Sequence, residues 1–516
     1  MDSEPEQRQQ WTGSHLMLSA LLQLLLVHIA YRIDRSKTVP YISTSAYAIV
    51  FGIAFGALLA FLSKRRMSDA GLDPQLLFFA LLPPIILDAG FNTQRKGFFT
   101  NFGAICLLAL LGTLIATVVT GGALLWLGNH GVLETVLTPS EAFLYGSLIS
   151  AIDPVSTLVV LKKSYVPPLL FNLLFGESVI NDAVAIVVFG LFQDSVLEED
   201  IAPLTWHSAF EIVTHLIAIG VGSVALSTMI CLASAFLLKR SDVAMKQYPT
   251  YETSIILLSA YVSYVAGESL HLSGLLAVFF SGVWIRHYHM YNISETSATT
   301  FKHLLSTLAF LSENFIYIYL GVSVLAYSEL FEWDWSFIRA SVGVCLVARA
   351  LNTFPLCALA NVCRSEPIPI SYMVVIWFAG LRGAIAFALA LNIRTCGKPS
   401  ERSHSAILRA ATLFTVLFTT ILLGMATGPL LRILHLDHSE SDRDNHRNQQ
   451  QQRPHDVVDE ETPLRQVRRD MEDESSSTVS ATLFKWSSIH DLWVALDEAH
   501  LKPTFGGKPR RTGDSS

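Results

Sequence analysis

The chain has 516 residues, of which 51% are hydrophobic and 15% are charged, and its mean hydropathy is +0.44. Soluble domains carry about 25% charged residues, so this composition excludes a soluble protein and indicates one that crosses a membrane many times. The net charge of −7 lies largely in the polar ends of the chain, and the sequence has no basic patch of the kind that binds nucleic acid.

Apolar runs of about 20 residues predict membrane-spanning helices. The first 14 residues are polar and acidic, whereas a cleaved signal peptide begins with basic residues, so we expect the next run to be retained as the first helix. We therefore predict an all-α polytopic membrane protein with a polar N-terminus at 1–14 and a transmembrane domain at 15–432. Its spans number about thirteen, at 15–33, 45–62, 75–91, 101–127, 141–161, 169–192, 208–237, 251–267, 271–285, 303–327, 337–361, 369–392 and 406–432.

The basic residues orient these spans. Lys and Arg are more frequent in the loops that follow odd-numbered spans, although Lys64-Arg65-Arg66 lies on the other side. Because cytosolic loops carry the excess of Lys and Arg, we place the odd-numbered loops and the tail in the cytosol. The glycosylation sequon Asn292-Ile293-Ser294 then faces the cytosol and is predicted to be unused.

The end of the chain has a different composition. From about Asp437 to Ser480 it is rich in Gln, Asp, Glu, Arg and Ser, which cannot bury a core. We predict that residues 433–516 form a cytosolic tail that is largely disordered. A short amphipathic segment near 483–496 suits either docking on a membrane or a partner, or a marginal tail helix.

The fifth span is interrupted by a proline. Pro154 lacks an N–H and disfavours helical dihedral angles at Asp153, so the helix is predicted to break there. Broken backbone at mid-membrane is tolerated where it is buried in protein or lines a watered cavity. We therefore predict that Asp153 and the hydroxyls of Ser156 and Thr157 face ions; the alternative is an ordinary proline kink with a capping Asp.

The sixth span carries the polar residues Glu177, Asn181 and Asp182. An ionised side chain at mid-bilayer costs at least ~2.5 kcal/mol, so carboxylates inside a span are candidates for function. Asn181 and Asp182 are adjacent, about 100° apart on a helix, and can line one cavity, whereas Glu177 points more to its side. We predict that Asp182 is the ion-binding carboxylate and that Asn181, beside it, also binds the ion.

The twelfth span contains Arg382 between Gly380 and Gly383. A buried Arg needs an anionic partner, and the glycines permit an irregular backbone. We predict that Arg382 pairs with Glu177 as a structural ion pair. If spans 1–6 and 8–13 are repeats, the breaks in spans 5 and 12 correspond, and the odd offset of seven spans makes the repeats of six inverted. Interruptions at matching positions of two halves indicate the binding site of a transporter.

Two further charged residues lie inside apolar runs. Glu313, in the tenth span, is either functional or neutralised by a neighbouring helix. Arg349, in the eleventh, is either its partner or reaches the membrane interface. The six cysteines have no metal-ligand spacing, and we interpret them as small core hydrophobes.

Five motifs, in order along the chain, resemble those of the eukaryotic sodium/proton exchangers, the NHE/NHX branch of the cation/proton antiporters. The resemblance is closer to the endosomal and Golgi members, whose tail is similar to the end of this chain at Leu496-Asp497, Leu501-Lys502-Pro503 and Phe505-Gly506-Gly507. The motifs are Leu82-Pro83-Pro84-Ile85, Ile149 to Val155, Phe175 to Asp182, Ser312 to Gly321 and Gly380 to Ala386.

The resemblance implies a homodimer of thirteen-helix protomers in which Asp182 carries the ion and the proton, with Asn181 and Asp153 nearby and Glu177 paired with Arg382. It implies a secondary active antiporter, not an enzyme and without a cofactor, that exchanges Na⁺ and/or K⁺ for H⁺. The membrane implied is endosomal or Golgi, with the plasma membrane as the alternative, and exchange there would regulate lumenal pH and cation content. The partners are then Na⁺, K⁺, H⁺, membrane lipid, a second copy and a regulatory protein on the tail.

With a single titrating carboxylate beside Asn181, exchange is predicted to be electroneutral, one H⁺ for one cation. Three other functions are weighed against it. A transport-inactive, pH-sensing scaffold would act through its tail, and a channel would lack saturable, proton-dependent counterflow. An intramembrane aspartyl protease would use Asp153 and Asp182, but neither lies in a Gly-x-Gly-Asp setting.

Overall fold

The computed structural model describes residues 17, 20–32, 44–62, 76–93, 95–153, 166–198, 206–241, 243–326, 331–362, 364, 367–394, 399–436 and 497–506. These residues are helical or lie in short connections, and none of them forms a strand. The all-α architecture predicted from the sequence is therefore confirmed.

Short helical turns lie in some connections and in the tail, and each of the thirteen predicted spans has its own helix among the described residues. Six of them are long and apolar enough to cross a membrane by length and composition. The segments are α1 (Ala20–Arg32), α2 (Thr44–Leu62), α3 (Leu77–Asn92), α4 (Phe102–Asn129), α5 (Pro139–Ser150), α6 (Pro168–Glu198), α7 (Trp206–Arg240), α8 (Pro249–Ser269), α9 (Gly274–His287), α10 (Glu295–Ala326), α11 (Trp335–Val362), α12a (Ile370–Phe378) with α12b (Ala384–Leu391), and α13 (Ser403–Ile433).

Two helix pairs show the inverted-repeat relation. Helix α2 packs along α10, and α3 packs along α9. The offset of seven spans relates α2 to α9 and α3 to α10, so each of the two pairs corresponds to the other. Both contacts depend on glycine, because small residues let membrane helices approach closely. A Cβ added at Gly52 of α2 would lie 2.0 Å from the carbonyl oxygen of Ile318, and one at Gly90 of α3 would lie 2.1 Å from that of Phe279.

The helix α5 begins and ends at clear local signals. At its start Thr138 and Glu141 form a capping box, in which the Thr138 Oγ1 accepts from the Glu141 N–H and the carboxylate accepts from the Thr138 N–H. The helix ends at Ser150, and residues 151–153 are non-helical. The predicted break in the fifth span is therefore confirmed, while Ser156 and Thr157 lie outside the described residues.

The twelfth span is also broken as predicted. Residues 379–383, between α12a and α12b, are non-helical, and they include Gly380, Arg382 and Gly383. The two breaks meet, since the backbone N–H of Asp153 donates to the carbonyl of Leu381 over 2.8 Å. The long helix α6 passes beside this crossing, and 83% of its apolar window is buried inside the protein. Its polar residues Glu177, Asn181 and Asp182 are buried with it.

Part of the tail lies against the helices. Residues Asp497–Phe505 form a short helical turn that packs on α7. In the connection between α9 and α10, the side-chain nitrogen of Asn292 donates to the carbonyl of Phe505 over 2.7 Å, a position that leaves no space for a glycan on the sequon. The predicted amphipathic segment at 483–496 and the polar stretch before it lie outside the described residues.

Candidate ion-binding site

The site is built around the unwound backbone where α5 and α12 cross. Backbone groups that leave a helix inside a membrane must find other partners. Two threonines of α13 supply them: Thr419 accepts from the N–H of Arg382, and Thr420 donates to its carbonyl, both over 3.0 Å. These threonines lie in a π-helical turn at Thr419–Leu423, which interrupts the regular helical hydrogen bonding of α13.

Asn181 ties α6 to this crossing. Its side-chain oxygen accepts from the N–H of Ile152 over 3.1 Å, and its side-chain nitrogen donates to the hydroxyl of Thr113 on α4 over 2.7 Å. The residue is 1% exposed. It lies beside Asp182 as the sequence predicted, and both ends of its amide are bonded to protein atoms, which makes it a brace for the broken helix.

Asp182 is buried with an incomplete set of partners. It is 2% exposed, and its Oδ2 atom has no hydrogen-bond partner among the described residues. Its charged neighbours are Asp153 and Arg382. A buried carboxylate oxygen that lacks a partner costs free energy, and a bound cation or proton would offset that cost.

Asp153 lies across the cavity from α6. The hydroxyl of Tyr317 on α10 donates a hydrogen bond to its Oδ2 atom. On its other side the backbone of α12 comes so close that a Cβ added at Gly383 would lie 2.4 Å from the Cβ of Asp153. Only glycine fits at position 383, and Asp153 therefore lies between α10 and the non-helical segment of the twelfth span.

Asp153 and Asp182 line one cavity. Its polar lining consists of the carboxylates of Asp153, Asp182 and Glu313 together with Tyr317, and the rest is mainly apolar. The structure thus brings together Asp182, Asp153 and Glu313, which the sequence singled out. Tyr317 and the α13 threonines were missed; the one available signal was that Tyr317 falls within the quoted motif Ser312 to Gly321, one turn after Glu313.

The predicted pair between Glu177 and Arg382 is wrong. Arg382 donates through its Nη1 atom to the carbonyls of Ser150 and Ala151, over 2.7 and 3.2 Å, and through Nε to the sulfur of Cys345 over 3.3 Å. Its guanidinium therefore lies at the C-terminal end of α5, where the helix dipole favours a cation.

Glu177 pairs with Arg349 instead. The two Nη atoms of Arg349 donate to the two carboxylate oxygens, the Nη2 to Oε2 contact being 2.9 Å, and Nη2 also donates to the carbonyl of Ile376. The side chains are 2% and 1% exposed. Arg349 therefore does not reach the membrane interface and does not pair with Glu313, the two roles considered from the sequence. It pairs with Glu177 because α11 faces α6 at the level of that residue, whereas Arg382 lies at the crossing.

The chain is similar over most of its length to known transport proteins. The family model described as "Sodium/hydrogen exchanger, transmembrane" matches residues 21–433. The chain is 32% identical to human sodium/hydrogen exchanger 8 over 446 residues, 86% of this chain and 75% of that protein. It is 33% identical to Arabidopsis thaliana sodium/hydrogen exchanger 4 over 519 residues, 95% and 94% of the two chains.

A solved structure shares the fold. The sodium proton antiporter MjNhaP1 from Methanocaldococcus jannaschii at pH 8 superimposes with a TM-score of 0.62 at 18% sequence identity, covering 83% of this chain and 99% of that one. At this identity the likeness concerns the fold.

Proposed function

This chain belongs to the sodium/hydrogen exchanger family, whose members are secondary transporters rather than enzymes, and we propose that its single exchange site is centred on Asp182. The observation that carries the proposal is the buried Asp182 with an unpartnered oxygen, placed where two broken helices cross and beside a cavity that Asp153 also lines. Cation/proton exchange needs such a group, because the same oxygen must be able to hold either ion.

The proposed mechanism is competition for this carboxylate. Alkali cations prefer oxygen ligands, and Asp182 and Asp153 supply charged ones; Ser156 and Thr157 remain predicted ligands. A proton on Asp182 neutralises it and releases the cation, and loss of the proton restores the site. The unloaded, charged site crosses the low-dielectric barrier at high cost, so only loaded forms change sides and the two flows are coupled.

The proposal includes a stoichiometry of one H⁺ for one cation. Asn181 is neutral and is engaged by Ile152 and Thr113, so it adds no charge beside Asp182. Exchange at one titrating carboxylate is electroneutral, whether the cation is Na⁺ or K⁺.

We also propose that exchange takes place in an endosomal or Golgi membrane and sets lumenal pH and cation content. The similarity to sodium/hydrogen exchanger 8 and the resemblance of the terminal tail segment to that branch support this location. A homodimer embedded in lipid is proposed as the working form, with a regulatory protein on the tail.

The test is exchange in proteoliposomes that contain a lumenal pH dye. Addition of Na⁺, K⁺ and Li⁺ in turn is expected to move protons outward with at least one cation, at a rate that saturates and does not change under an imposed voltage. A strong voltage response would contradict the electroneutral stoichiometry but not cation/proton exchange itself. Absence of any cation-dependent proton flux would favour the transport-inactive scaffold, and flux that does not saturate would favour a channel.

A further inference from the structure

Tyr317 is the neutral polar group of the cavity that the exchange mechanism does not use. Its side chain is 3% exposed, it lines the cavity with Asp153 and Asp182, and its hydroxyl donates to the Oδ2 atom of Asp153. The hydroxyl thus reaches from α10 across to the unwound segment of α5.

The hydrogen bond between Tyr317 and Asp153 joins a continuous helix to a non-helical segment. Helix α10 is continuous from Glu295 to Ala326 and is anchored one turn beyond Tyr317, where a Cβ at Gly321 would lie 2.3 Å from the carbonyl of Ile49. Asp153 itself lies in non-helical backbone. A carboxylate on an unwound segment has more conformational freedom than one on a helix, so the rigid partner fixes it.

We propose that Tyr317 is a positioning residue that sets cation affinity and selectivity by fixing one oxygen of Asp153 at the cavity wall. This inference rests on the proposed exchange function. Discrimination among cations of the same charge depends on cavity size, ligand number and ligand flexibility. With the phenol in place the acidic side chain keeps one orientation and the cavity one size; without it the carboxylate adjusts to cations of different radius.

The phenol acts through Asp153 and therefore affects ion binding more than the rate of the loaded carrier. Hydrogen bonds to a charged group are stronger than those between neutral groups. Loss of the hydroxyl is expected to weaken binding of the preferred cation about tenfold, to leave kcat within about twofold, and to bring kcat/KM for Li⁺, Na⁺ and K⁺ closer together.

The experiment compares Tyr317→Phe with wild type in proteoliposomes, measuring initial rates against concentration for each cation at one pH. Tyr145→Phe is the matched control: Tyr145 is buried in α5, its hydroxyl is bonded to Ser341 on α11, and it lies outside the cavity. The control is expected to keep the wild-type KM and selectivity. Cation-dependent rises in the melting temperature of the purified variants report binding without transport.

Three results would overturn the inference. The first is a Tyr317→Phe protein with wild-type KM and cation order, and the second is an equal change in Tyr145→Phe, which would assign the effect to packing. The third is a fall in kcat with KM unchanged. A wild-type protein that moves no cation would overturn the proposed function and this inference with it, whereas an active wild type with an unaltered Tyr317→Phe overturns the inference alone.

Discussion

The helix α6 carries two buried carboxylates that differ in how completely they are satisfied. Glu177 and Asp182 are 1% and 2% exposed, and on a helix they lie about 7.5 Å apart along the axis. Both oxygens of Glu177 accept from Arg349, whereas one oxygen of Asp182 has no partner in the described part of the chain. Burial is common to both, so it is the missing partner that distinguishes the proposed exchange site from a structural pair.

The surroundings explain the difference. At the level of Glu177, α6 faces α11, a continuous helix that presents a side chain long enough to satisfy a carboxylate at both oxygens. At the level of Asp182, α6 faces the crossing of two broken helices, where Arg382 is already bonded to the carbonyls of Ser150 and Ala151. The guanidinium of Arg382, a charged neighbour of Asp182, is thus bonded to backbone carbonyls, in keeping with the proposal that Asp182 binds exchangeable ions.

The largest effect is expected from Asp182→Asn. The substitution keeps the shape of the side chain and removes its charge, so exchange should fall to the background of empty liposomes. Because an unpartnered buried charge is removed, the melting temperature should equal or exceed that of wild type. The pH-dye assay and thermal unfolding check the two parts, and exchange at the normal rate would contradict the assignment of Asp182.

The second effect concerns stability at Glu177. Either Glu177→Gln or Arg349→Met leaves a buried group without its partner, and breaking a buried ion pair costs ~3–5 kcal/mol. We expect both single variants to express poorly and to unfold at lower temperature. The double variant should recover much of the loss, since neither charge is then left alone.

A double-mutant cycle of thermal stability measures this coupling, with Glu177 and Arg382 as the matched control pair. The structure predicts strong coupling between Glu177 and Arg349 and little between Glu177 and Arg382. The opposite order would restore the pairing that the sequence alone suggested and would remove the distinction between the two carboxylates of α6.

The sequence predicted the features that depend on local chemistry. Pro154, Gly380 and Gly383 disfavour a regular helix, so both breaks were predictable. Asn181 and Asp182 were expected to line one cavity, but of the two only Asp182 is among its lining residues. The partner of Glu177 was not predictable in the same way, because it depends on how α11 and α12 sit along the axis of α6. Arg349 and Arg382 both lie in apolar runs and could each pair with Glu177, and the sequence does not show which of them lies at the same depth in the membrane.

Neutral polar residues were missed for a related reason. Threonine and tyrosine are common in membrane spans and often serve only packing, so the contacts that Thr113, Thr419 and Tyr317 make at the crossing cannot be distinguished by composition. Their role follows from which amide, N–H or carboxylate group lies opposite each hydroxyl. That arrangement is set by the three-dimensional packing of six helices, α4, α5, α6, α10, α12 and α13.

An intermediate effect is expected from Asn181→Ala, which removes the side chain that connects α6 to Ile152 and Thr113. The change removes the side-chain oxygen that accepts from the buried N–H of Ile152, a loss that costs up to ~1–3 kcal/mol, and it loosens the broken segment of α5. We expect a lower melting temperature and a reduced exchange rate. Asn352→Ala is the matched control, because its buried amide donates to the carbonyl of Gly112 over 3.0 Å outside the cavity and should cost stability with little loss of exchange per folded protein.

The smallest effect is expected at a third buried carboxylate, Asp497 of the tail, which is 4% exposed. Its two oxygens accept from Tyr288 over 2.7 Å and contact His287 over 2.8 Å, and Lys502 lies 3.4 Å away. Like Glu177, it is a satisfied carboxylate, and it holds the tail on the C-terminal end of α9.

Asp497→Asn therefore weakens this docking by about 1 kcal/mol. Amide hydrogen exchange in residues 497–506 should then be roughly fivefold faster, while the exchange of cations for protons is unchanged. His303→Gln, on an exposed face of α10, serves as the control that alters neither quantity. If Asp497→Asn instead abolished ion exchange, complete satisfaction of a buried carboxylate would no longer identify a structural group, and the tail would have to be treated as part of the transport machinery.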